Sequence, residues 1–147
     1  MITYILDSNI LIYLVGENVK IIPYVKEKDI FGVNAGVISC ASVGESLAFS
    51  MKKNWGIAKK GNLETLLKMT TAIPIFIREI AGAYAEIDAF SQGRHPTLIS
   101  TFTTRNMGKN DLWIAATTHL SKGTLLTTDN DFDHLMPHFL TIQKIDT

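Results

Sequence analysis

The sequence predicts an α/β fold of three layers, with helices covering both faces of a mainly parallel sheet of about five strands. Three observations carry this. Short β-branched or aromatic runs alternate along the chain with segments whose apolar residues recur every three or four positions. Parallel neighbours need such crossovers, because a tight hairpin cannot join them. No internal repeat, low-complexity tract or linker interrupts the 147 residues, so residues 1–147 form one domain.

Residues 2–6, ITYIL, make the first strand, and Asp7 in DSN stops it, since Asp, Ser and Asn all bond their own backbone. Residues 36–39, GVIS, are the second strand, followed by a helical pattern over 42–54. A further helical pattern over roughly 62–70 precedes the strand candidate AIPIF at 72–76. Residues 78–91 form the clearest helix, with Ile80, Ala83, Tyr84, Ile87 and Phe90 on one face. The helix at 111–121 is apolar almost all round and starts on Asp111, and the strands TLLTT (124–128) and FLTIQ (139–143) follow. Residues 93–109, GRHPTLISTFTTRNMGK, fit neither period. Long irregular segments in compact domains are often functional, so this one is a candidate substrate-contacting element, with Arg94, Arg105 and Lys109 as its cations.

Composition excludes several classes. With 46% hydrophobic residues the chain can bury a substantial core. The apolar stretches around Asp7 are too short to span a bilayer, and no basic leader opens the chain. Cys40 is the one cysteine, which rules out an internal disulfide and points to a reducing, cytoplasmic compartment. Fourteen basic and fourteen acidic residues cancel, so no global field draws nucleic acid; any such partner must be met by local charge or by a bound cation.

The acidic residues gain meaning from their places on these elements. Asp7 ends the first strand, Glu45 lies in the first turn of the helix after the second, Asp111 starts the LWIAATTHL helix, and Asp129 ends the fourth strand. In an open parallel sheet the carboxyl ends of strands and the amino ends of the next helices share one edge, where ligands bind. Four carboxylates gathered there repel one another, and protonation or a cation relieves the repulsion. Oxygen donors without His or Cys select hard ions, Mg²⁺ or Mn²⁺, and such ions support phosphodiester hydrolysis by an activated water.

Each carboxylate also has a structural role available to it. Asp7 could be a turn residue, Asn110 and Asp111 a helix cap with a favourable dipole charge, and Ser42-x-x-Glu45 a capping box. In DNDFDH, Asp129, Asp131 and Asp133 occupy alternate positions of a calcium loop, but His134 replaces the required glycine and Leu140 the bidentate glutamate. His134 and His138 flank Pro137 and lack a metalloprotease glutamate, and no glycine-rich phosphate loop exists.

YILDSNILIYL, VISCASVGESL, GKNDLWIAATTHL and TLLTTDNDFDHL, in that order, resemble the successive motifs of the PIN-domain family, particularly the toxin ribonucleases of VapBC toxin–antitoxin pairs. The resemblance covers nearly the whole chain. It implies a metal-dependent endoribonuclease whose acidic set, Asp7, Glu45, Asp111 and Asp129, binds Mg²⁺ or Mn²⁺, with Ser8, Asn9 and Thr128 as polar neighbours. It further implies an RNA substrate, a homodimer and a cognate antitoxin that inserts a segment near the site. Ser8 stands where threonine is more usual, and keeps the hydroxyl. Asp131 competes with Asp129 for the last acidic position, and strand-end placement favours Asp129. The 93–109 segment is longer than usual before NDLWIAA. Two other activities share these motifs: a structure-specific DNA nuclease on the same carboxylates, and an inactive PIN-like binding module, which would have no need to keep all four.

Overall fold

A computed structural model describes residues 1–147. The chain runs β1 (Thr3–Leu6), α1 (Ser8–Val15), α2 (Ile21–Glu27), β2 (Ala35–Ser39), α3 (Cys40–Lys52), α4 (Ile57–Met69), β3 (Thr71–Ile73), α5 (Arg78–Ser91), α6 (Lys109–Ser121), β4 (Thr124–Thr127) and β5 (Thr141–Lys144). The five strands form one wholly parallel sheet in the order β3-β2-β1-β4-β5. The predicted α/β class and strand count therefore hold.

Strand alternation divides the core in two. Ile5, Val37 and Leu125 point into a cluster built with Ile80, Ile87 and Phe90 of α5 and Leu112 and Ile114 of α6. Tyr4, Leu6, Ile38 and Leu126 point the other way, onto Ile10, Leu11, Ile21 and Val25 of α1 and α2. Each sheet face is thus sealed by helices, and a side chain one position off would change layers.

Three differences from the sequence reading have physical causes. Helix α1 has no periodic signal in the sequence, because SNILIYLV carries polar residues only at its first two positions and shows no polar face; Ser8, Ile10, Leu11 and Val15 are buried. Helix α2 tolerates Pro23 because it lies in the first turn, where backbone N–H groups have no helical acceptor. Strand β3 stops at Ile73, ahead of the Pro74 included in the 72–76 candidate, and the last strand begins at Thr141, two residues after the start of the 139–143 candidate. Proline cannot donate to a ladder.

The turn into β4 needs its glycine. A Cβ on Gly123 would meet Thr3 O at 2.6 Å and also collide with Ile5 Cδ1. The predicted irregular segment 93–109 ends one residue inside α6, and residues 93–108 carry no helix or strand yet are tied down. Arg105 N–H donates to Ser91 O at 2.8 Å, the Ser91 hydroxyl donates to Arg105 O at 2.9 Å, and the Phe102 ring packs edge-on to Phe90 at 5.2 Å. The segment is a strap bound to the end of α5, and it delivers buried Met107 to the start of α6.

Candidate active site: an acidic crevice at the β1–β4 edge

In this strand order the chain leaves β1 for β2 on one side and later returns to β4 on the other, so the β1–β4 junction is the topological switch point where open parallel sheets bind ligands. Asp7 is the first residue past β1. It is 4% exposed and forms the N-cap of α1, its Oδ1 accepting from Ser8 N–H at 2.7 Å. Its Oδ2 accepts from the Thr127 hydroxyl at 2.6 Å, and Thr127 Oγ1 accepts the Asp129 N–H at 3.0 Å. Burial lifts the Asp7 carboxyl from the ordinary 3.8 to about 6; the bonds from Thr127 and Ser8 restrain the rise, and Asp129 and Glu45 add to it.

Glu45 sits in the second turn of α3, not the first, because the helix starts at Cys40. The capping box does not form: Ser39 is the cap, accepting from Ala41 N–H at 3.1 Å, while the Ser42 hydroxyl is buried without a partner. Glu45 is thereby released from cap duty. Its Oε1 accepts from the Ser8 hydroxyl at 3.0 Å, which links α3 to α1 across the crevice.

Asp111 is the third residue of α6, and neither it nor Asn110 caps the helix; Gly108 holds the cap position with no side-chain bond. Behind it Leu112, Ile114, Ala115 and Ala116 are buried, and Thr117 and Thr118 return their hydroxyls to carbonyls one turn back. The carboxyl itself has no hydrogen-bond donor. Burial raises it to about 7, with further contributions from Asp7, Glu45, Asp129 and Asp131, in that order.

Asp129 lies two residues beyond β4 rather than at its end, and its Oδ1 accepts the Asp131 N–H at 3.0 Å. Asp131 is exposed, 3.9 Å from Arg105. The hydroxyl neighbour is Thr127, not Thr128, whose side chain makes no hydrogen bond. Strand register carries the signal that separates them: Leu6 pairs with Leu126, so the next rung sets Thr127 beside Asp7 and Thr128 out of step. Asn9 is exposed and lines a cavity of about 390 Å³ with Ser8, Glu45, Lys52 and Asn110. Arg105 lines a second cavity of about 330 Å³ with Asp111 and Asp131. Lys109 opens α6 on the exposed side, and Arg94 belongs to the turn that ends α5; no ion pair joins either to the acidic group. His134 stands apart, bonded to Ser91 at 2.9 Å and held below its usual pKa by burial and by Arg105.

Glu45 and Asp129 lie close enough to raise the proton affinity of Asp7 and Asp111, yet no three of the four carboxylates are drawn into a ready ligand cage. Their donors are all oxygen, two are uncomfortable as anions, and Asp111 lacks any compensating donor. That set fits a hard divalent cation, which removes the repulsion and takes few protein ligands.

A crevice at the switch point of an open parallel sheet, lined by oxygen donors, is a place where such folds bind ligands and where a hard cation fits. The chain belongs to the PIN domain family, which it matches over residues 4–136; PIN domains are in general divalent-metal-dependent nucleases. Among solved structures it is similar to VapBC2 from Rickettsia felis bound to a DNA fragment from their promoter (TM-score 0.75, 21% identity, 98% of this chain and 99% of that one). It is also similar to VapBC-1 from nontypeable Haemophilus influenzae (0.71, 21%, 97% of each) and to FitAcB from Neisseria gonorrhoeae (0.69, 18%, 95% of each). No curated protein sequence matches the chain. No helix is long and apolar enough to cross a membrane.

Proposed function

We propose that the chain is a metal-dependent endoribonuclease and the toxin of a toxin–antitoxin pair. The observation that carries the reading is the gathering of Asp7, Glu45, Asp111 and Asp129 at the switch point, where burial and mutual repulsion raise Asp7 and Asp111. These four would hold Mg²⁺ or Mn²⁺. When bound, such an ion would lower the pKa of a water so that hydroxide is available as the nucleophile, and would offset the charge developing on the leaving oxygen. Thr127 and Ser8 orient Asp7 and Glu45 through the bonds described above, and α6 holds Asp111 against the other three. Arg105, Lys109 and Arg94 are the cations proposed to meet the substrate backbone, Arg105 being the one that borders the crevice.

The similarity to VapBC and FitAcB structures supports an antitoxin as partner. The toxin reading includes a homodimer, which light scattering on the purified chain would test.

The deciding experiment incubates the purified chain with RNA and with DNA of the same sequence, with Mg²⁺, with Mn²⁺ and with chelator. RNA is cut only with metal, and Asp7→Asn or Asp111→Asn abolishes cutting while circular dichroism stays native. Full activity in chelator, or in both variants, would refute the acidic-site mechanism. Cutting of DNA alone would replace the ribonuclease reading with the DNA nuclease, and no metal-dependent cutting of either would leave the inactive binding module. Induction of the chain in cells arrests growth, and arrest disappears with Asp7→Asn.

A further inference from the structure

The acidic crevice continues into a second feature that composition does not announce. The cavity holding Ser8, Glu45 and Lys52 shares Ile12 and Phe49 with a neighbouring cavity of about 340 Å³ lined also by Tyr13, Lys53, Trp55 and Lys59. The two form one groove leading away from the carboxylates. Its far end is fixed by the way α3 stops. Asn54 adopts the left-handed conformation (φ 55°) that asparagine tolerates, Asn54 N–H donates to Met51 O at 3.1 Å, and Trp55 N–H donates to Ser50 O at 3.0 Å. This turn folds Trp55 back onto Phe49, with ring centroids 5.7 Å apart and nearly perpendicular.

Part of the Trp55–Phe49 contact is the apolar closure such turns commonly make. The cations are not accounted for in that way. Lys52, Lys53 and Lys59 are exposed, and none takes part in the three ion pairs of the molecule. Lys53 lies 5.8 Å from the Phe49 ring centre and Lys59 4.9 Å from that of Trp55. In a chain of zero net charge, three uncompensated ammonium groups therefore line one groove with two aromatic rings, and its other end reaches Glu45 of the acidic crevice.

We propose that this groove seats an unpaired nucleic-acid strand on its way to or from the acidic crevice, with Lys52, Lys53 and Lys59 on successive phosphates and the Trp55 ring against a base. The proposal rests on the nuclease reading above and deepens it by naming the form of the substrate. A stacking aromatic needs a base face that a duplex keeps covered, so the strand is single. Lys59 covers the ring face in the free protein. An exposed lysine holds that place weakly, and a base replaces it as the ammonium moves to a phosphate.

Binding is measured by fluorescence anisotropy on the full chain carrying Asp111→Asn, so that cleavage does not intrude. The probes are a fluorescein-labelled RNA oligonucleotide without self-complementarity, the DNA of the same sequence, and the RNA annealed to its complement. The unpaired strands bind and the duplex binds roughly tenfold or more weakly. Trp55→Ala weakens binding of the unpaired strand roughly tenfold or more, and Trp55→Phe recovers most of it. Replacing Lys53 and Lys59 together by Gln lowers the slope of log affinity against log salt by about 1.4, two phosphate contacts at about 0.7 each. Unchanged affinity in Trp55→Ala and an unchanged salt slope in the lysine variant would overturn the proposal. If those variants keep their affinity for the oligonucleotide but escape inhibition by a co-expressed antitoxin, the groove belongs to the protein partner and the proposal is equally overturned. Binding through Trp55 without cleavage by the unsubstituted chain would refute the nuclease reading and leave the groove standing; Asp111-dependent cleavage with binding indifferent to Trp55 would do the reverse.

Discussion

The two walls of the acidic crevice are held in different ways. On the strand side, Asp7 is caught between the Ser8 amide and the Thr127 hydroxyl, Thr127 also accepts from Asp129, and Ser8 donates to Glu45. On the helix side, Asp111 receives no hydrogen bond and owes its place to α6, whose next residues are buried against α5 and the sheet. A carboxylate positioned by donors is tuned by them as well. One positioned by packing carries its burial and repulsion unrelieved, which is why Asp111 rises to about 7 and Asp7 only to about 6 although Asp7 is the more deeply buried.

The largest effect expected from this contrast is on stability against pH. Both aspartates have folded pKa values above the ordinary 3.8, so between about pH 4 and 7 the folded chain binds more protons than the unfolded one. Stability therefore falls as pH rises through that window and levels off above it. For Asp7 the loss is on the order of 2–3 kcal/mol. Metal-free protein should melt at progressively lower temperature from pH 4 to 7, and Mg²⁺ should restore much of the loss at pH 7.5. Asp111→Asn should flatten the profile without other penalty, because no hydrogen bond is given up. Asp7→Asn should remove the Asp7 share of the slope as well, but at a constant loss of stability at every pH, since the amide matches the Thr127 hydroxyl poorly. Parallel pH profiles for the unsubstituted chain and Asp111→Asn would show that the helix side carries no unrelieved charge.

Thr127→Val tests the strand side alone. The substitution keeps the shape, removes the donor to Asp7 and strips the Asp129 amide of its acceptor, at a cost of about 1–3 kcal/mol. Losing a bond to the ionised form disfavours that form, so the Asp7 carboxyl should rise further and the acid limb of cleavage against pH should move to higher pH. A limb that stays in place while stability falls would mean that Thr127 supports the fold and does not tune the site.

The same contrast explains what the sequence revealed. Asp111 is legible because a lone carboxylate stands directly before the apolar run in DLWIAATTHL. The α/β class was legible from alternating periods, and the shared edge of Asp7, Glu45, Asp111 and Asp129 followed from topology. The hydrogen-bonded wall was not. Choosing Thr127 over Thr128 needs the register of β4 against β1, and a one-residue error at a strand end moves the hydroxyl to the other face. Placing Glu45 in the second turn needs the start of α3, which the two serines, Ser39 and Ser42, leave ambiguous. Helix α1 and the closure of the 93–109 strap depend on tertiary contacts that no local pattern carries.

The smallest effect concerns those two serines and bears on whether Glu45 is free for the site. If Ser39 caps α3, Ser39→Ala removes the acceptor for Ala41 N–H and should cost about 1 kcal/mol. Ser42→Ala removes a buried hydroxyl that has no partner, and should be neutral or slightly stabilising. A capping box centred on Ser42 requires the opposite order, with Ser42→Ala the costly change and Glu45→Gln able to stand in by returning its amide oxygen to the cap backbone. Urea denaturation of the two serine variants therefore ranks the two arrangements even though the energies are small. Glu45→Gln completes the test. With Ser39 as cap, Glu45 has no duty to the helix beyond accepting the Ser8 hydroxyl, which an amide oxygen can also do, so the variant should keep its stability and lose cleavage. Lost stability with cleavage preserved would return Glu45 to the helix and leave the crevice with three carboxylates.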